Sequence, residues 1–301
     1  MKHFAAIDLG TNTFHILIVR KTMTLWEEVY RKRVFVNIAE GGIETISPIC
    51  YQRGLDTILG FHQKIKEYDI KQISTFGTAA LRTATNGPAF QSEVKQRTGL
   101  EIQIIDGQRE AQLIAKGTKA IVDMSIGNYL IMDIGGGSVE FILVQNNQEN
   151  YIESFPIGIT SLHRQFPHSE PISDIEIASI DEYLSKRIAP LRDKIENLTI
   201  EGLVGASGSY EVLEKILSDS ITKNSASKIS INRVTEQIDR ILKLDLSARL
   251  ADPDIPNQRA KLIVIAVLLM KHVLGLCKFN SMIISPFALK EGALLELMDL
   301  D

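Results

Sequence analysis

One pattern limits this chain more than any other: a strand-like run ending in an aspartate, a glycine and a hydroxyl, present twice. The fuller copy, residues 129–144, reads YLIMDIGGGSVEFILV. Leu130, Ile131 and Met132 lead into Asp133, three glycines follow, and Ser138 and Glu140 precede a second apolar run. Two short apolar runs around a glycine cluster predict a hairpin of buried strands. A plain hairpin turn needs one or two glycines, so three exceed the conformational need. Such a turn lets backbone N–H groups converge on an anion with no Cβ in the way. Carboxylates beside a phosphate cradle repel it unless a divalent cation such as Mg²⁺ lies between. Residues 4–19, FAAIDLGTNTFHILIV, are the second copy: Asp8 falls on Asp133, Gly10 on Gly135 and Thr13 on Ser138. That offset is too long for a solenoid repeat and predicts two similar domains, each opening with a hairpin whose turn carries an Asp and a hydroxyl. Two phosphate-gripping turns facing one cleft would hold a phosphate chain or a nucleotide tail.

Length agrees, since 301 residues suit two domains of about 150 each. The net charge of −4 supplies no basic field for nucleic acid or an anionic membrane. An anionic substrate must then be held by local arginines, loops and metal. Cys50 and Cys277 are isolated, fit a reducing cytosol, and are expected as small buried side chains. The chain opens on a strand without a signal-peptide pattern, and its longest apolar stretch, 262–270, is far below the roughly 20 residues of a membrane span. A cytoplasmic protein is the expectation.

Along the chain, 25–38 reads as two further strands, and 47–68 as an amphipathic helix capped by Ser47 and started by Pro48. Gln72 to Thr78 reads as a strand, a helix follows Asn86-Gly87-Pro88, 101–105 is a strand, and Gly107 opens another helix. The resulting order β-β-β-α-β-α-β-α is an α/β layer pattern. The second half repeats it: strands at 129–134, 139–145 and 150–158, then helices at 160–167 and 174–197, the latter interrupted by Pro190. A strand at 202–206 ends in Gly205-Ala206-Ser207-Gly208-Ser209, a second glycine and hydroxyl turn. An amphipathic segment at 229–244, a long helix at 257–274, a strand at 281–284 and a closing helix at 288–298 complete the reading. The expected division is 1–124 and 125–301, with the closing helix, about 287–301, free to pack back on the first lobe.

The motifs Asp8-Leu9-Gly10-Thr11-Asn12-Thr13, Thr78-Ala79-Ala80-Leu81-Arg82, Gly107-Gln108-Arg109-Glu110-Ala111 and Asp133-Ile134-Gly135-Gly136-Gly137-Ser138-Val139-Glu140 resemble the exopolyphosphatase / guanosine pentaphosphate phosphohydrolase family. Gly205 to Ser209 and Ser285-Pro286-Phe287-Ala288-Leu289-Lys290-Glu291-Gly292 extend the likeness to the end of the chain. The resemblance implies the actin-like ATPase fold: two ribonuclease-H-like domains, each a mixed five-stranded sheet flanked by helices, around an interdomain cleft. It implies Mg²⁺-assisted removal of terminal phosphates, and family members often form homodimers. Threonines stand for the usual serines in the first turn, Arg109 for a second Glu, and Lys290 for a common Arg. The chain lacks the helical extension of longer members, from which a preference for short polyphosphate is expected.

By this resemblance Glu110 is the catalytic base, orienting and deprotonating a water for in-line attack; otherwise it is a first-turn Glu favoured by the helix dipole. Glu140 either holds Mg²⁺ or shares the water-orienting task, against a solvated-face role. Asp8 and Asp133 are candidates for metal contact through water, or for capping the N–H groups of their own turns. Phosphate is assigned to Gly10, Thr11, Asn12, Thr13, Arg82, Gly135, Gly136, Gly137, Ser138, Gly208, Ser209 and Arg259. Arg82 suits bidentate grip, and surface roles compete for both arginines. His15 is expected as a packed or hydrogen-bonded residue, and Lys116 and Lys119 either extend a positive track or are solvated. The leading reading is an exopolyphosphatase, with guanosine pentaphosphate hydrolysis as the alternative. A small-molecule kinase of the same superfamily would need an acceptor pocket, and a nucleotide sensor or filament-forming ATPase would assemble with ATP. No Walker A pattern occurs.

Overall fold

The computed structural model describes residues 2–218 and 224–299. They form two compact units, Met1–Gly117 with Leu289–Asp301, and Thr118–Ala288. The change of unit falls between Gly117 and Thr118, in the last turn of a helix, rather than between 124 and 125, and the closing helix groups with the first unit. Of that expected helix, 300–301 lie outside the described residues.

The first unit is built on β1 (His3–Leu9), whose Phe4, Ala5, Ala6 and Ile7 are fully buried. β1 pairs antiparallel with β2 (Thr13–Lys21), which pairs antiparallel with β3 (Trp26–Phe35). On its other side β1 runs parallel to β4 (Gln72–Gly77), and β4 to β5 (Gln103–Ile104), giving the order β3-β2-β1-β4-β5. The two strands expected within 25–38 are one ten-residue strand. A bulge opposite Ile18/Val19 absorbs one residue without breaking the ladder, and exposed charges blunt this sheet edge. α1 (Pro48–Glu67) starts as its sequence dictates, with the Ser47 side chain accepting from the Cys50 N–H. Its Leu55, Ile58, Phe61 and Ile65 share one core with Ile7, Ile16 and Ile18. α2 (Ala79–Thr83), α3 (Gly87–Thr98) and α4 (Gly107–Lys119) follow.

The second unit repeats the plan. β6 (Asn128–Ile134) pairs antiparallel with β7 (Val139–Gln145), and β7 with β8 (Gln148–Phe155). α5 (Ile159–Gln165), α6 (Asp174–Arg187) and α7 (Ala189–Ile195) follow, Pro190 sitting in the first turn of α7 as the interruption requires. β9 (Thr199–Ile200) belongs to a small two-stranded sheet, and β10 (Gly202–Gly205) runs parallel to β6. α8 (Gly208–Leu217), β11 (Ser227–Ile229), α9 (Ile231–Leu242) and α10 (Leu246–Ala251) come next. The single helix expected over 257–274 is two, α11 (Asn257–Ala260) and α12 (Ile263–Leu274). β12 (Lys278–Phe279) pairs with β9, and β13 (Met282–Ile284) lies beside β10. The main sheet is β11-β13-β10-β6-β7-β8. It matches the first sheet strand for strand, with β11 added as a sixth strand at one edge. α13 (Leu289–Asp299) returns to the first unit, where Gly292 lies so close to α4 that an added Cβ would stand 1.9 Å from the Leu113 carbonyl oxygen.

Candidate active site

In both units the Asp ends the central strand and the glycine turn joins it to the next. Asp8 faces His15 across the β1–β2 ladder, and Asp133 faces Glu140 across β6–β7, so the two hairpins share one register. The hydroxyl of each turn meets the residue opposite its Asp. Thr13 Oγ1 lies 2.8 Å from His15 Nε2, and the Ser138 hydroxyl donates to Glu140 Oε1 at 2.6 Å. His15 is therefore a hydrogen-bonded strand residue.

Both turns direct their backbone alike. Thr11 and Asn12 carbonyls accept from Ile38 N at 3.0 Å and Asn37 N at 2.8 Å. Gly135, Gly136 and Gly137 carbonyls accept from Ile159 N (3.0 Å), Thr160 N (2.9 Å) and Gly158 N (3.2 Å). A trans peptide points its N–H opposite its C=O. Tying these carbonyls back turns the N–H groups of Gly136, Gly137 and Ser138 to the other side, away from α5. Only a glycine at 158 permits this approach, because a Cβ there would stand 2.4 Å from the Gly136 carbonyl carbon and oxygen. The arrangement is a cradle for an anion.

Glu140 is 1% exposed, and its Oε1 also accepts from the Ser154 hydroxyl at 2.6 Å. Ser154, on β8, was not legible as a site residue: it reaches Glu140 only through strand pairing. Beside the cradle, Ile134 N donates to the Ser207 hydroxyl at 3.3 Å, so the loop into α8 is tied to the end of β6. Gly208 and Ser209 open α8, and Ser209 is buried. Arg259 lies directly on Gly208, where a Cβ would meet its Nη2 at 1.7 Å, and its guanidinium is 3.8 Å from Glu211. The structure thus joins Gly208 and Arg259, which sequence could only name separately.

In the first unit Glu110 occupies the first turn of α4, 8% exposed. Asp106 accepts from the N–H of Arg109 through its side chain at 2.7 Å and from that of Glu110 through its carbonyl at 3.0 Å, fixing the turn. Arg82 Nη1 lies 3.9 Å from Glu110 Oε2 and donates to the Ile105 carbonyl at 2.5 Å. Arg109 instead makes a two-pronged ion pair with Glu296 of α13, one contact at 3.0 Å. Lys116 pairs with Asp299, and Lys119 with Glu149, so neither stands as a lone solvated charge.

Asp8 has other neighbours. Burial pushes its carboxyl up to about 6, Lys290 opposes the rise and Glu291 adds to it. Glu291 is fully buried between Arg31 Nη1 at 3.3 Å and Lys290 Nζ at 3.2 Å. The candidate metal donors Asp8, Asp133 and Glu140 are all carboxylates, the hard oxygen ligands Mg²⁺ takes. Among the described residues no group of three or more His, Cys, Asp or Glu forms a metal cage.

Comparison with known proteins bears on the family. The model of the Ppx/GppA phosphatase family matches residues 17–301. A guanosine-5'-triphosphate,3'-diphosphate pyrophosphatase of Photobacterium profundum is 30% identical over 98% of this chain, and one of Vibrio parahaemolyticus 27% identical. The chain spans 59% of the length of these relatives. The crystal structure of an exopolyphosphatase from Cytophaga hutchinsonii superposes with a TM-score of 0.95 at 29% identity, covering 99% of this chain and 98% of that one. An Aquifex aeolicus Ppx/GppA structure at 19% identity and TM-score 0.84 shares the fold. Both the family match and the two repeated glycine hairpins lead to one conclusion: the chain belongs to the Ppx/GppA phosphatase family.

Proposed function

We propose that the protein is an exopolyphosphatase, hydrolysing the terminal phosphate of inorganic polyphosphate with Mg²⁺. The observation that carries this reading is the pairing of a nearly buried Glu110 with Arg82 at 3.9 Å. Arg82 binds the terminal phosphate. Glu110 orients a water for in-line attack and accepts its proton. The new bond forms between the water oxygen and the terminal phosphorus, and the bridging P–O bond breaks with its electron pair leaving on the shortened chain. The outward N–H groups of the glycine turn, with Thr11, Asn12 and Thr13 of the first turn, bind phosphate oxygens and position the chain. Gly208, Ser209 and Arg259 are assigned further phosphate oxygens. Asp8, Asp133 and Glu140 are the residues that would hold Mg²⁺, which when bound neutralises phosphate charge as the transition state develops.

A second reading, release of the terminal phosphate of guanosine pentaphosphate, is favoured by the relatives, which carry that nucleotide activity in their names. The site is the same and the substrate tail differs. No helix among the described residues is long and apolar enough to cross a membrane. The reading places the enzyme in the cytoplasm, where the unpaired Cys50 and Cys277 stay reduced, and as a homodimer, which sedimentation would measure.

Phosphate release from purified protein with Mg²⁺ tests the chemistry, using polyphosphate, guanosine pentaphosphate and ATP. Release from either of the first two, falling roughly 10²–10⁴-fold in Glu110→Gln while binding persists, is expected. Near-wild-type turnover by Glu110→Gln would remove the base from Glu110.

A further inference from the structure

The turn between β1 and β2 is fixed by a segment whose own peptides are held in turn. Residues 36–38 follow β3 and run beside that turn, with Val36 and Ile38 fully buried in the core. The N–H groups of Asn37 and Ile38 are the donors that hold the Asn12 and Thr11 carbonyls. In an extended strand, successive peptides face opposite edges. Asn37 instead has a left-handed backbone, φ 46°, a conformation Asn tolerates better than most side chains. Both peptides flanking Asn37 therefore send their N–H toward the turn and their C=O the other way, toward α1.

Arg53, in the second turn of α1, takes both of those carbonyls. Its Nε donates to the Val36 carbonyl and its Nη2 to the Asn37 carbonyl at 3.2 Å. Glu40 Oε2 accepts from the same Nη2 at 2.8 Å. Each peptide is thus bound at both ends, to a guanidinium on one side and to the turn on the other. Arg53 is partly exposed, so water would satisfy the two carbonyls without it. Water does not fix them relative to each other, whereas a guanidinium does, because its donors lie in one rigid plane. Its charge also polarises both peptides, which strengthens their N–H groups as donors. At the far end, the held Thr11 and Asn12 carbonyls turn the N–H groups of Asn12 and Thr13 away from residues 36–38.

We propose that Arg53 is a positioning residue for phosphate binding: it locks the 36–38 segment that aims the N–H groups of Asn12 and Thr13 at a phosphate oxygen. Arg53 touches no substrate and acts only through the two peptides it holds. In sequence it reads as one more solvated position of an amphipathic helix, since its acceptors lie 16 and 17 residues away. The role rests on the assignment of phosphate to the first turn in the reading above, and not on the identity of the base or of the acceptor.

Arg53→Ala and Arg53→Lys in the full chain test this beside wild type. Each is measured for residue-resolved amide exchange without ligand, for binding of methylenediphosphonate (a diphosphate that cannot be hydrolysed) with Mg²⁺ by calorimetry, and for steady-state phosphate release. In Arg53→Ala the Asn37 and Ile38 amides should exchange about tenfold faster, while those of the α1 core positions Leu55 and Ile58 keep their rates. Methylenediphosphonate affinity should fall about tenfold, and KM for polyphosphate should rise by a similar factor with kcat within about twofold of wild type. Arg53→Lys keeps the charge and loses the planar fork, so its losses should be intermediate; it also decides the matter if Arg53→Ala does not fold. Unchanged affinity in the folded variants would overturn the proposal, as would faster exchange spread through α1, the mark of a merely structural role. If wild type binds methylenediphosphonate but releases no phosphate, the hydrolase reading falls and the role of Arg53 stands. If wild type does not bind it, the phosphate assignment of the first turn falls, and the role of Arg53 with it.

Discussion

At the scale of single residues, the site depends on where side chains are excluded as much as on which are present. Gly208 illustrates this, because the guanidinium of Arg259 fills the space of its missing Cβ. The atom in the way is the far end of a flexible side chain, so Gly208→Ala should leave the fold intact and push Arg259 aside. Losing one charge-assisted phosphate contact costs about 1.5–3 kcal/mol, so KM for polyphosphate should rise by roughly an order of magnitude or more with kcat less affected. Steady-state kinetics would check this, and an unchanged KM would detach Arg259 from substrate binding. The residues named from sequence divide along a physical line. Asp8, Asp133, the turn glycines and their hydroxyls were legible because a repeated local pattern carries them. Ser154 on Glu140, Arg31 on Glu291 and the ring of Tyr210 on Gly205 were not, because each contact is made between residues distant in sequence.

At the scale of elements, α1, α3 and the β6–β7 hairpin were legible from caps, punctuation and apolar period. What escaped was set by pairing. β11 is three residues without an apolar run, and becomes a strand only because β13 offers an edge. The break between α11 and α12 has no glycine or proline to announce it. α6 shows local chemistry in full: Ser173 N donates to Glu176 Oε2 at 2.8 Å and Glu176 N to Ser173 Oγ at 3.4 Å, a reciprocal cap. The Ser169 hydroxyl, then the Ser173 backbone and hydroxyl, pull the Glu176 carboxyl down to about 2. A carboxylate held below its ordinary 4.5 stabilises the fold above that value, and the contribution is lost as pH falls toward 2. Glu176→Ala should therefore be less stable than wild type at pH 6. The difference should shrink through that acid window, as paired denaturant titrations would measure; a pH-independent difference would reject the cap as its source.

At the scale of the molecule, two units of one plan carry different chemical equipment. The first places a nearly buried Glu110 beside Arg82, and the second places Glu140 under a glycine cradle. Where the second unit sets Glu140 opposite its Asp, the first sets His15. The proposed hydrolase reading draws on residues of both copies. Its central claim is that water, and no other acceptor, receives the phosphoryl group. The most direct measurement is phosphate release from polyphosphate in oxygen-18 water with Mg²⁺, followed by mass analysis of the orthophosphate. Each released phosphate should carry one oxygen from the solvent, with no added acceptor. Release that requires a small-molecule acceptor and leaves the solvent label out of the transferred group would contradict it.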